Sequence, residues 1–380
     1  MAGVSRDVVV VGGGPVGASL ARALRGAAVT LIAAAPQLPA LDGFDPRVYA
    51  LSPGNVEFLR ALGVWAALPA ERLTPVHAMR IYGDDARAEL LFDAYEAGAM
   101  ELAWIVEDRE LQRALWAGLA TTPQRCERLE IDEHAAVLSF SDAEPLAAQL
   151  VIGADGANSF VRNAAGIAAR ERDYGQAALV ANFECQRPHA NVAYQWFQGG
   201  PVLALLPLPG EQVSMVWSLP ATEAERLAAL APQALALEVE RASRARLGAL
   251  RLASAVRSYP LRRLAARRLV APRVALMGDA GHVIHPLAGQ GLNLGLQDAR
   301  VLAQVLNERE PGRDIGDYRL LRRYERRRAE PIAAMDAVVS GLFALYGAKS
   351  GLVGRLRNAG LNLTDRLPVL KNILIRQAMS

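Results

Sequence analysis

A strand, a glycine-rich turn and a helix follow one another at the start of this chain. Residues 8–11 are four valines, the turn reads Gly12-Gly13-Gly14-Pro15-Val16-Gly17, and a helical pattern rich in alanine and leucine runs to residue 24. The first glycine of G-x-G-x-x-G permits a tight turn, the second lets a pyrophosphate approach, and the third allows close helix–strand packing. We predict a Rossmann-like α/β fold with dinucleotide contacts from Gly12, Gly14, Pro15, Val16 and Gly17.

The acidic residue that usually accompanies this motif is missing. In dinucleotide-binding folds, an Asp or Glu about twenty residues after the first glycine binds the adenosine ribose. Here the second strand, Val29–Ile32, is followed by Ala33-Ala34-Ala35. Either Gln37 or a water molecule replaces the carboxylate, or binding is weaker.

A second glycine-rich segment follows a buried-strand pattern at residues 274–277. Asp279 comes directly after this strand, and Gly289-Gln290-Gly291 precedes a helical pattern that starts near Asn293. A carboxylate accepts hydrogen bonds from sugar-type hydroxyls more strongly than a neutral acceptor does. Free N–H groups at a helix start favour negative charge, such as that of a reduced flavin. The segment indicates a site for a polyol and a flavin ring, although such loops are also common without this function.

A third pattern of strand, turn and helix covers residues 150–162 and contains Asp155-Gly156. A plain corner with Ser159 near the helix cap would explain it. The recurrence of three such elements, near residues 12, 155 and 279, favours the functional interpretation.

These elements together resemble the aromatic-ring flavoprotein monooxygenases of the para-hydroxybenzoate hydroxylase fold, and more narrowly the UbiH-type hydroxylases of ubiquinone biosynthesis. The run His285-Pro286-Leu287-Ala288-Gly289-Gln290-Gly291, with Asn293, Gly295 and Asp298, is similar to that subfamily's signature at every position. Further similar segments lie at residues 44–51, 62–65, 106–109 and 200–208. The resemblance covers nearly the whole chain.

The resemblance implies FAD as the cofactor and NAD(P)H as a transient reductant. It implies that residues 12–17 hold the pyrophosphate, that Asp279 holds the ribityl chain, and that Arg47 and Arg109 contact the phosphate or ribityl side. Ordinary surface arginines are the alternative for the last two. Asp155 would support the architecture around the cofactor. The residues implied at the isoalloxazine ring are Gly289, Gln290, Gly291, Leu292 and Asn293.

The implied activity is hydroxylation of the aromatic ring of a polyprenylated phenol in ubiquinone biosynthesis. NAD(P)H reduces FAD, and O₂ then adds at flavin C4a to give a hydroperoxide that attacks the ring. No side chain is needed as a nucleophile; His285 and Pro286 would lie near the flavin, with a shape-forming role for His285 as the alternative to proton transfer. Two other functions stay open: a non-catalytic scaffold in a quinone-biosynthesis complex, and a flavin-dependent reductase of a prenyl lipid.

Strand patterns between the cofactor elements predict an inserted, largely antiparallel sheet. Tyr194, Trp196 and Trp217 either line an apolar substrate cavity or form the core of this sheet. Two helix limits are also predicted: an N-cap at Thr222 and a helix end near Pro331. The strands are expected at residues 178–183, Val192–Phe197, 202–206 and 212–218. The expected division is an FAD-binding domain at 1–75, 105–180 and 262–330, a substrate domain at 76–104 and 181–261, and C-terminal helices at 331–380.

Composition excludes several other classes. The 380 residues are 52% hydrophobic and carry a formal charge of only +3, without a nucleic-acid motif. Two cysteines, Cys126 and Cys185, fit a reducing cytosol. His282 and His285 lack a third ligand at metal-site spacing, so no metal is expected. Without a long apolar run, a cytoplasmic protein is expected.

The end of the chain carries a local basic excess. Residues 343–380 contain six Lys or Arg and one Asp, interspersed with leucines. Such a segment is typical of peripheral contact with an anionic inner-membrane face, or of packed helices with a solvated basic side. Other quinone-biosynthesis proteins are implied as partners by the resemblance.

Overall fold

The computed structural model describes residues 5–36, 38, 43–83, 89–285 and 290–347; of residue 5 and residues 342–347 it describes the backbone alone. Gln37, Pro286, Gly289 and nearly all of the basic segment at 343–380 therefore lie outside the described residues.

The described residues form both α-helices and β-strands. The helices are α1 (Pro15–Ala23), α2 (Pro53–Ala61), α3 (Asp108–Trp116), α4 (Phe160–Ala164), α5 (Ala221–Ala228), α6 (Pro232–Ala242), α7 (Gly291–Asn307) and α8 (Tyr318–Gly347). The strands are β1 (Ser5–Val11), β2 (Val29–Ile32), β3 (Val48–Leu51), β4 (Thr74–Val76), β5 (Ala78–Tyr82), β6 (Glu89–Asp93), β7 (Ala103–Glu107), β8 (Thr121–Thr122), β9 (Cys126–Ile131), β10 (Ala136–Phe140), β11 (Leu146–Gly153), β12 (Ala169–Cys185), β13 (Val192–Phe197), β14 (Val202–Leu208), β15 (Gln212–Pro220), β16 (Leu250–Leu252), β17 (Arg257–Ala266), β18 (Val270–Ala271), β19 (Val274–Leu276) and β20 (His282–Val283).

The first sheet carries the glycine-rich turn. Its strands lie in the order β18-β19-β11-β1-β2-β8, and β1 pairs in parallel with both β2 and β11. Because side chains alternate along a strand, Val8 and Val10 pack with α1, α7 and α8, whereas Val9 and Val11 pack with α4 and the β9–β10 ribbon. A sheet buried on both faces explains the unbroken run of valines.

The second sheet is the expected antiparallel insertion. Its order is β20-β17-β12-β15-β14-β13-β5-β6, and among the described strands β13 with β5 is the parallel pair. Strand β13 has the predicted bounds, and the other three predicted strands lie within β12, β14 and β15. These strand predictions are confirmed. The division into domains stays a prediction, and β12 runs through its expected boundary at residue 180.

The aromatic residues of the second sheet form core rather than a cavity wall. Tyr194, Trp196 and Trp217 are 5%, 1% and 6% exposed and pack beneath α5 and α6. Trp196 also stacks on Tyr82, with ring centroids 5.4 Å apart. Phe197 points to the opposite face, where it packs with Ile284 and α7. The cavity interpretation of these aromatic residues is therefore wrong.

Two predicted helix limits are also wrong. Strand β15 runs to Pro220 and α5 starts at the next residue, so Thr222 lies inside the first turn and makes no capping bond. Helix α8 continues through Pro331. Packing of Val339 and an ion pair between Arg263 and Asp336 hold the helix beyond the proline.

The third sheet is small and supports the cofactor elements. Strand β7 pairs with β3 and β4, and α3 follows β7 directly. None of the described helices combines the length and apolar composition needed to cross a bilayer.

Candidate cofactor and active site

The turn between β1 and α1 has the backbone expected of a dinucleotide loop. Gly12 has φ +108°, and a Cβ there would overlap the carbonyl of Ala154. A Cβ on Gly17 would overlap the carbonyl of Gly12. Gly14, by contrast, has no atom within 4 Å of an added Cβ. Two of the glycines thus allow close packing, and Gly14 leaves open space at the helix start.

A buried carboxylate fixes the turn that carries Asp279. This turn, a 3₁₀ segment at Gly278–Ala280, follows β19. Asp298 on α7 is fully buried, and its Oδ2 accepts a hydrogen bond from the Gly278 N–H at 2.9 Å and lies 2.6 Å from His282 Nε2. Its Oδ1 accepts from Arg328 Nε at 2.6 Å. Burial opposes the charge, but His282 and Arg328 outweigh it and lower the pKa of Asp298.

Sequence reasoning gave no role to Asp298 or Arg328. Asp298 is the last residue of the signature run, and this position was the one sequence signal that could have indicated its role. Arg328 lies in a run of arginines on α8 and differs from its neighbours only in being buried.

The structure brings Arg47 and Asp279 together, although 232 positions separate them in sequence. Asp279 is exposed on its turn. Partial desolvation by surrounding protein raises the pKa of its carboxyl, and the charges of His282, Arg47 and Arg262 oppose this shift. Arg47 is half-exposed and lies 3.8 Å from Asp108. Both side chains are exposed, and each is close enough to shift the pKa of the other.

Arg109 lies in a different environment. Its side chain is 7% exposed, with Nε 3.3 Å from Glu110 Oε1 and Nη2 4.0 Å from Glu107. Arg72 also pairs with Glu107, at 2.7 Å. The structure therefore places Arg109 in a buried charge cluster, and its contact with the cofactor stays a prediction.

Asp155 organises the third strand–turn–helix element. Its Oδ1 accepts from Ser159 Oγ at 2.6 Å and its Oδ2 from the Val161 N–H at 3.1 Å. Ser159 caps α4, as expected, by accepting from the Arg162 N–H at 2.9 Å. Arg162 Nη1 donates to the Ala280 carbonyl at 3.0 Å. Asp155 thus supports the Asp279 turn indirectly, and its carboxylate is engaged within its own turn.

The start of α7 is open on one side and anchored on the other. Gln290 precedes the helix, and a Cβ added to Gly291 would meet no atom within 4 Å. Asn293 is buried; its Nδ2 donates to the Ala50 carbonyl at 2.8 Å, and its Oδ1 accepts from the Ser52 N–H at 2.9 Å. The Asn293 side chain therefore ties α7 to β3, and Leu292 packs against the same region.

His285 is buried next to a bulge in β12. Its Nε2 lies 3.0 Å from Gln176 Oε1, and its ring meets Tyr174 edge-on at 4.9 Å. Burial lowers the pKa of His285 to about 4. The ring is therefore neutral near pH 7. His282 faces Asp298 instead, and within the described part of the chain no cluster of metal-ligating side chains is found.

Trp116 is a further residue that sequence reasoning missed. It ends α3, is half-buried, and donates from Nε1 to the Gly13 carbonyl at 2.8 Å. A Cβ on Gly13 would overlap the indole ring and lie 2.7 Å from the Ala33 Cβ. The N–H of Ala33 donates to the Thr122 carbonyl at 3.1 Å. Gly13, Ala33 and Trp116 thus meet where the missing acid would stand.

These features define a class of protein. The family described as FAD binding domain matches residues 5–338, and the chain belongs to this family of flavoproteins.

Similarity to curated proteins narrows the class of flavoprotein. The chain is 34% identical over 385 residues to 3-demethoxyubiquinol 3-hydroxylase of Escherichia coli, covering 98% of each chain. It is 34% identical to ubiquinone hydroxylase UbiL of Rhodospirillum rubrum, over 98% of this chain and 89% of that protein. The resemblance inferred from the signature run is confirmed.

Solved structures agree on the architecture. PqsL of Pseudomonas aeruginosa in complex with 2-aminobenzoylacetate matches with a TM-score of 0.77 at 26% identity, over 95% of this chain and 100% of that chain. HpxO of Klebsiella pneumoniae complexed with FAD and uric acid matches with a TM-score of 0.76 at 21% identity, over 98% and 97% of the two chains, and supports the fold. The expected α/β class, the FAD cofactor and the assignment as an FAD-dependent monooxygenase are confirmed.

Proposed function

We propose that this enzyme hydroxylates the aromatic ring of a polyprenylated phenol in ubiquinone biosynthesis, using NAD(P)H and O₂. The observation that carries the proposal is the 34% identity to 3-demethoxyubiquinol 3-hydroxylase over 98% of both chains. Bound FAD, once reduced by NAD(P)H, supplies the activation of O₂ for transfer of one oxygen atom to the ring. The protein's tasks are to bind the cofactor, orient the phenol and exclude water.

The described residues suit an FAD molecule that extends from the glycine-rich turn to the start of α7. The pyrophosphate would lie at Gly14, where the backbone is open and the start of α1 favours an anion. The ribityl hydroxyls would donate to Asp279, and Arg47, which is close enough to influence that carboxylate, would contact the phosphate or ribityl side of the cofactor. The isoalloxazine ring would lie against the start of α7 at Gly291, where backbone N–H groups stabilise negative charge.

His285 would act next to the ring as a neutral group. Its low pKa excludes an imidazolium near pH 7, and Gln176 and Tyr174 hold its orientation. We therefore assign it the task of shaping the space at the flavin rather than donating a proton.

Oxygen incorporation tests the proposed reaction. The protein loaded with FAD would be given NADH or NADPH, ¹⁸O₂ and a phenol with a short prenyl tail, and the product analysed by mass spectrometry. The proposal expects one ¹⁸O atom in a new ring hydroxyl. Reduction of the substrate without ¹⁸O would support the reductase function, and no turnover with FAD bound would support the scaffold.

We further propose peripheral contact with an anionic membrane, because the proposed substrate is a lipid. The first half of α8 supports this: Arg319, Arg322, Arg326 and Arg327 are exposed and Arg323 is half-exposed. Residues 343–380 carry six Lys or Arg against one Asp in sequence. Binding to vesicles of phosphatidylglycerol but not of phosphatidylcholine, weakening with salt, is the expected result. Association with other quinone-biosynthesis proteins stays a prediction.

A further inference from the structure

The end of β2 holds an indole ring and small residues where dinucleotide-binding folds usually hold a carboxylate. Ala33 follows β2, and its Cβ faces Gly13 of the glycine-rich turn. Trp116 packs its ring against Gly13 and is held there by its hydrogen bond to the Gly13 carbonyl. Trp116 is half-buried, so part of the residue stays accessible to solvent.

The position of Trp116 is fixed by more than one contact. Arg22 on α1 donates from Nε to the Leu115 carbonyl at 2.7 Å, and it also bonds to the carbonyl of Ala117. These bonds join the end of α3 to α1 on both sides of the tryptophan. These bonds hold the ring beside the glycine-rich turn, and glycine at position 13 is what allows it to pack there.

We propose that Trp116 and Ala33 form the walls of the adenosine site, so that this enzyme recognises the adenosine half of FAD by contact with the indole ring and not by a carboxylate on the ribose 2′-hydroxyl. This inference rests on the proposed placement of FAD at the glycine-rich turn. Contact between a base or ribose and an aromatic ring does not depend on the 2′-hydroxyl, whereas a hydrogen bond to a carboxylate does.

Competition with two nucleotides tests the recognition of the ribose. ADP and 2′-deoxy-ADP would each be titrated against the protein in complex with FAD, with displacement of FAD as the readout. The inference expects the two dissociation constants to agree within about threefold, because a neutral site loses little when the hydroxyl is removed. A preference for ADP of about tenfold or more, the size expected of a hydrogen bond to a charged group, would overturn it.

Two matched variants place a carboxylate at the proposed adenosine site and at the neighbouring position. Ala33→Glu supplies the missing acid and should raise the preference for ADP over 2′-deoxy-ADP to about tenfold or more. Ala34→Glu adds the same charge at the next, exposed residue and should leave the preference below about threefold. Equal preferences in the two variants would contradict the assignment of position 33.

Tryptophan fluorescence tests the second wall. ADP should quench part of the emission of the wild type, and Trp116→Phe should lose that part while Trp65→Phe keeps it. Trp116→Ala should weaken ADP binding by about tenfold, within the range for loss of an aromatic–base contact. Quenching that persists in Trp116→Phe would overturn the role of this residue. Circular dichroism identifies any variant that has lost its fold. If Trp116→Ala is unfolded, the quenching measured with Trp116→Phe decides alone.

The outcomes separate this inference from the proposed function. Stoichiometric FAD binding with a strong preference for ADP contradicts the inference and leaves the proposed function intact. Failure of the wild type to bind FAD at all contradicts both. FAD that ADP cannot displace contradicts the placement of adenosine beside Trp116.

Discussion

At the scale of single residues, the carboxylates of the site divide into two kinds. Asp298 and Asp155 are engaged by protein donors and hold turns in place. Asp279 is exposed, and no protein hydrogen bond to its carboxylate is found among the described residues. A carboxylate left open to solvent on a rigid turn can serve a ligand, because no protein bond must break first.

Replacement of Asp279 tests this distinction. Asp279→Ala should weaken FAD binding by about ten- to a hundredfold, the range for loss of a hydrogen bond to a charged group. The measurement is a fluorescence titration of the FAD-free protein. Cys126→Ser is the control and should bind like the wild type, since Cys126 is a half-buried thiol on β9. Unchanged affinity in Asp279→Ala would remove the ribityl assignment.

The neutral state of His285 predicts a pH effect on stability. Its pKa falls from 6.5 to about 4 on folding, so the folded state binds fewer protons than the unfolded state between these values. The contribution of His285 to the unfolding free energy is fully present above pH 6.5 and is lost as the pH falls towards 4. Between pH 7 and pH 5, the wild type should lose about 2 kcal/mol more unfolding free energy than His285→Gln. Denaturant titrations at both pH values measure the difference, and equal losses would contradict it.

At the scale of elements, the turn between β1 and α1 separates folding from binding. Gly12 and Gly17 are required by backbone packing, whereas Gly14 has ordinary φ and open space around it. The two functions of one motif are therefore carried by different glycines.

Alanine at position 14 and alanine at position 17 should affect different properties of the protein. Gly14→Ala should keep the unfolding free energy within about 0.5 kcal/mol and weaken FAD binding, since the methyl group occupies space for the pyrophosphate. Gly17→Ala should lower the unfolding free energy by about 2 kcal/mol or more, because its Cβ would overlap the Gly12 carbonyl. Thermal unfolding and FAD titration of both variants would show the contrast; equal destabilisation by the two would contradict it.

At the scale of the whole molecule, α8 connects the two sheets. Tyr324 donates to the Leu276 carbonyl of β19 at 2.8 Å, and Asp336 pairs with Arg263 on β17 at the other end of the helix. The solvent-facing side of α8 carries the arginines of the first half of the helix. Within the part of the chain that the structure describes, Arg319, Arg326 and Arg327 have no carboxylate within the 4.0 Å of an ion pair. Their charge is available to an anionic surface.

Charge reversal on α8 should reduce vesicle binding. Arg326→Glu combined with Arg327→Glu should weaken binding to phosphatidylglycerol vesicles by about tenfold or more, since each lost basic residue contributes about 1 kcal/mol. Co-sedimentation at low and high salt measures the effect. Arg125→Glu combined with Arg128→Glu, at exposed positions next to and on β9, is the control with the same change in net charge. If the control weakened binding equally, a specific role for α8 would be excluded.

The sequence by itself determined the Rossmann-like element, the antiparallel insertion and the FAD assignment. Each of these depends on local patterns: four valines before a glycine turn, alternating strands, and a signature run with fixed spacing. Only the tertiary structure decided which distant residues meet. Asp298 with Arg328, Arg47 with Asp279, and Trp116 with Gly13 are pairs from distant segments, joined by packing of α3, α7 and α8 on the sheets. The same packing carried α8 past Pro331 and buried Trp196, because long-range contacts outweigh local preferences that contribute only a few kcal/mol.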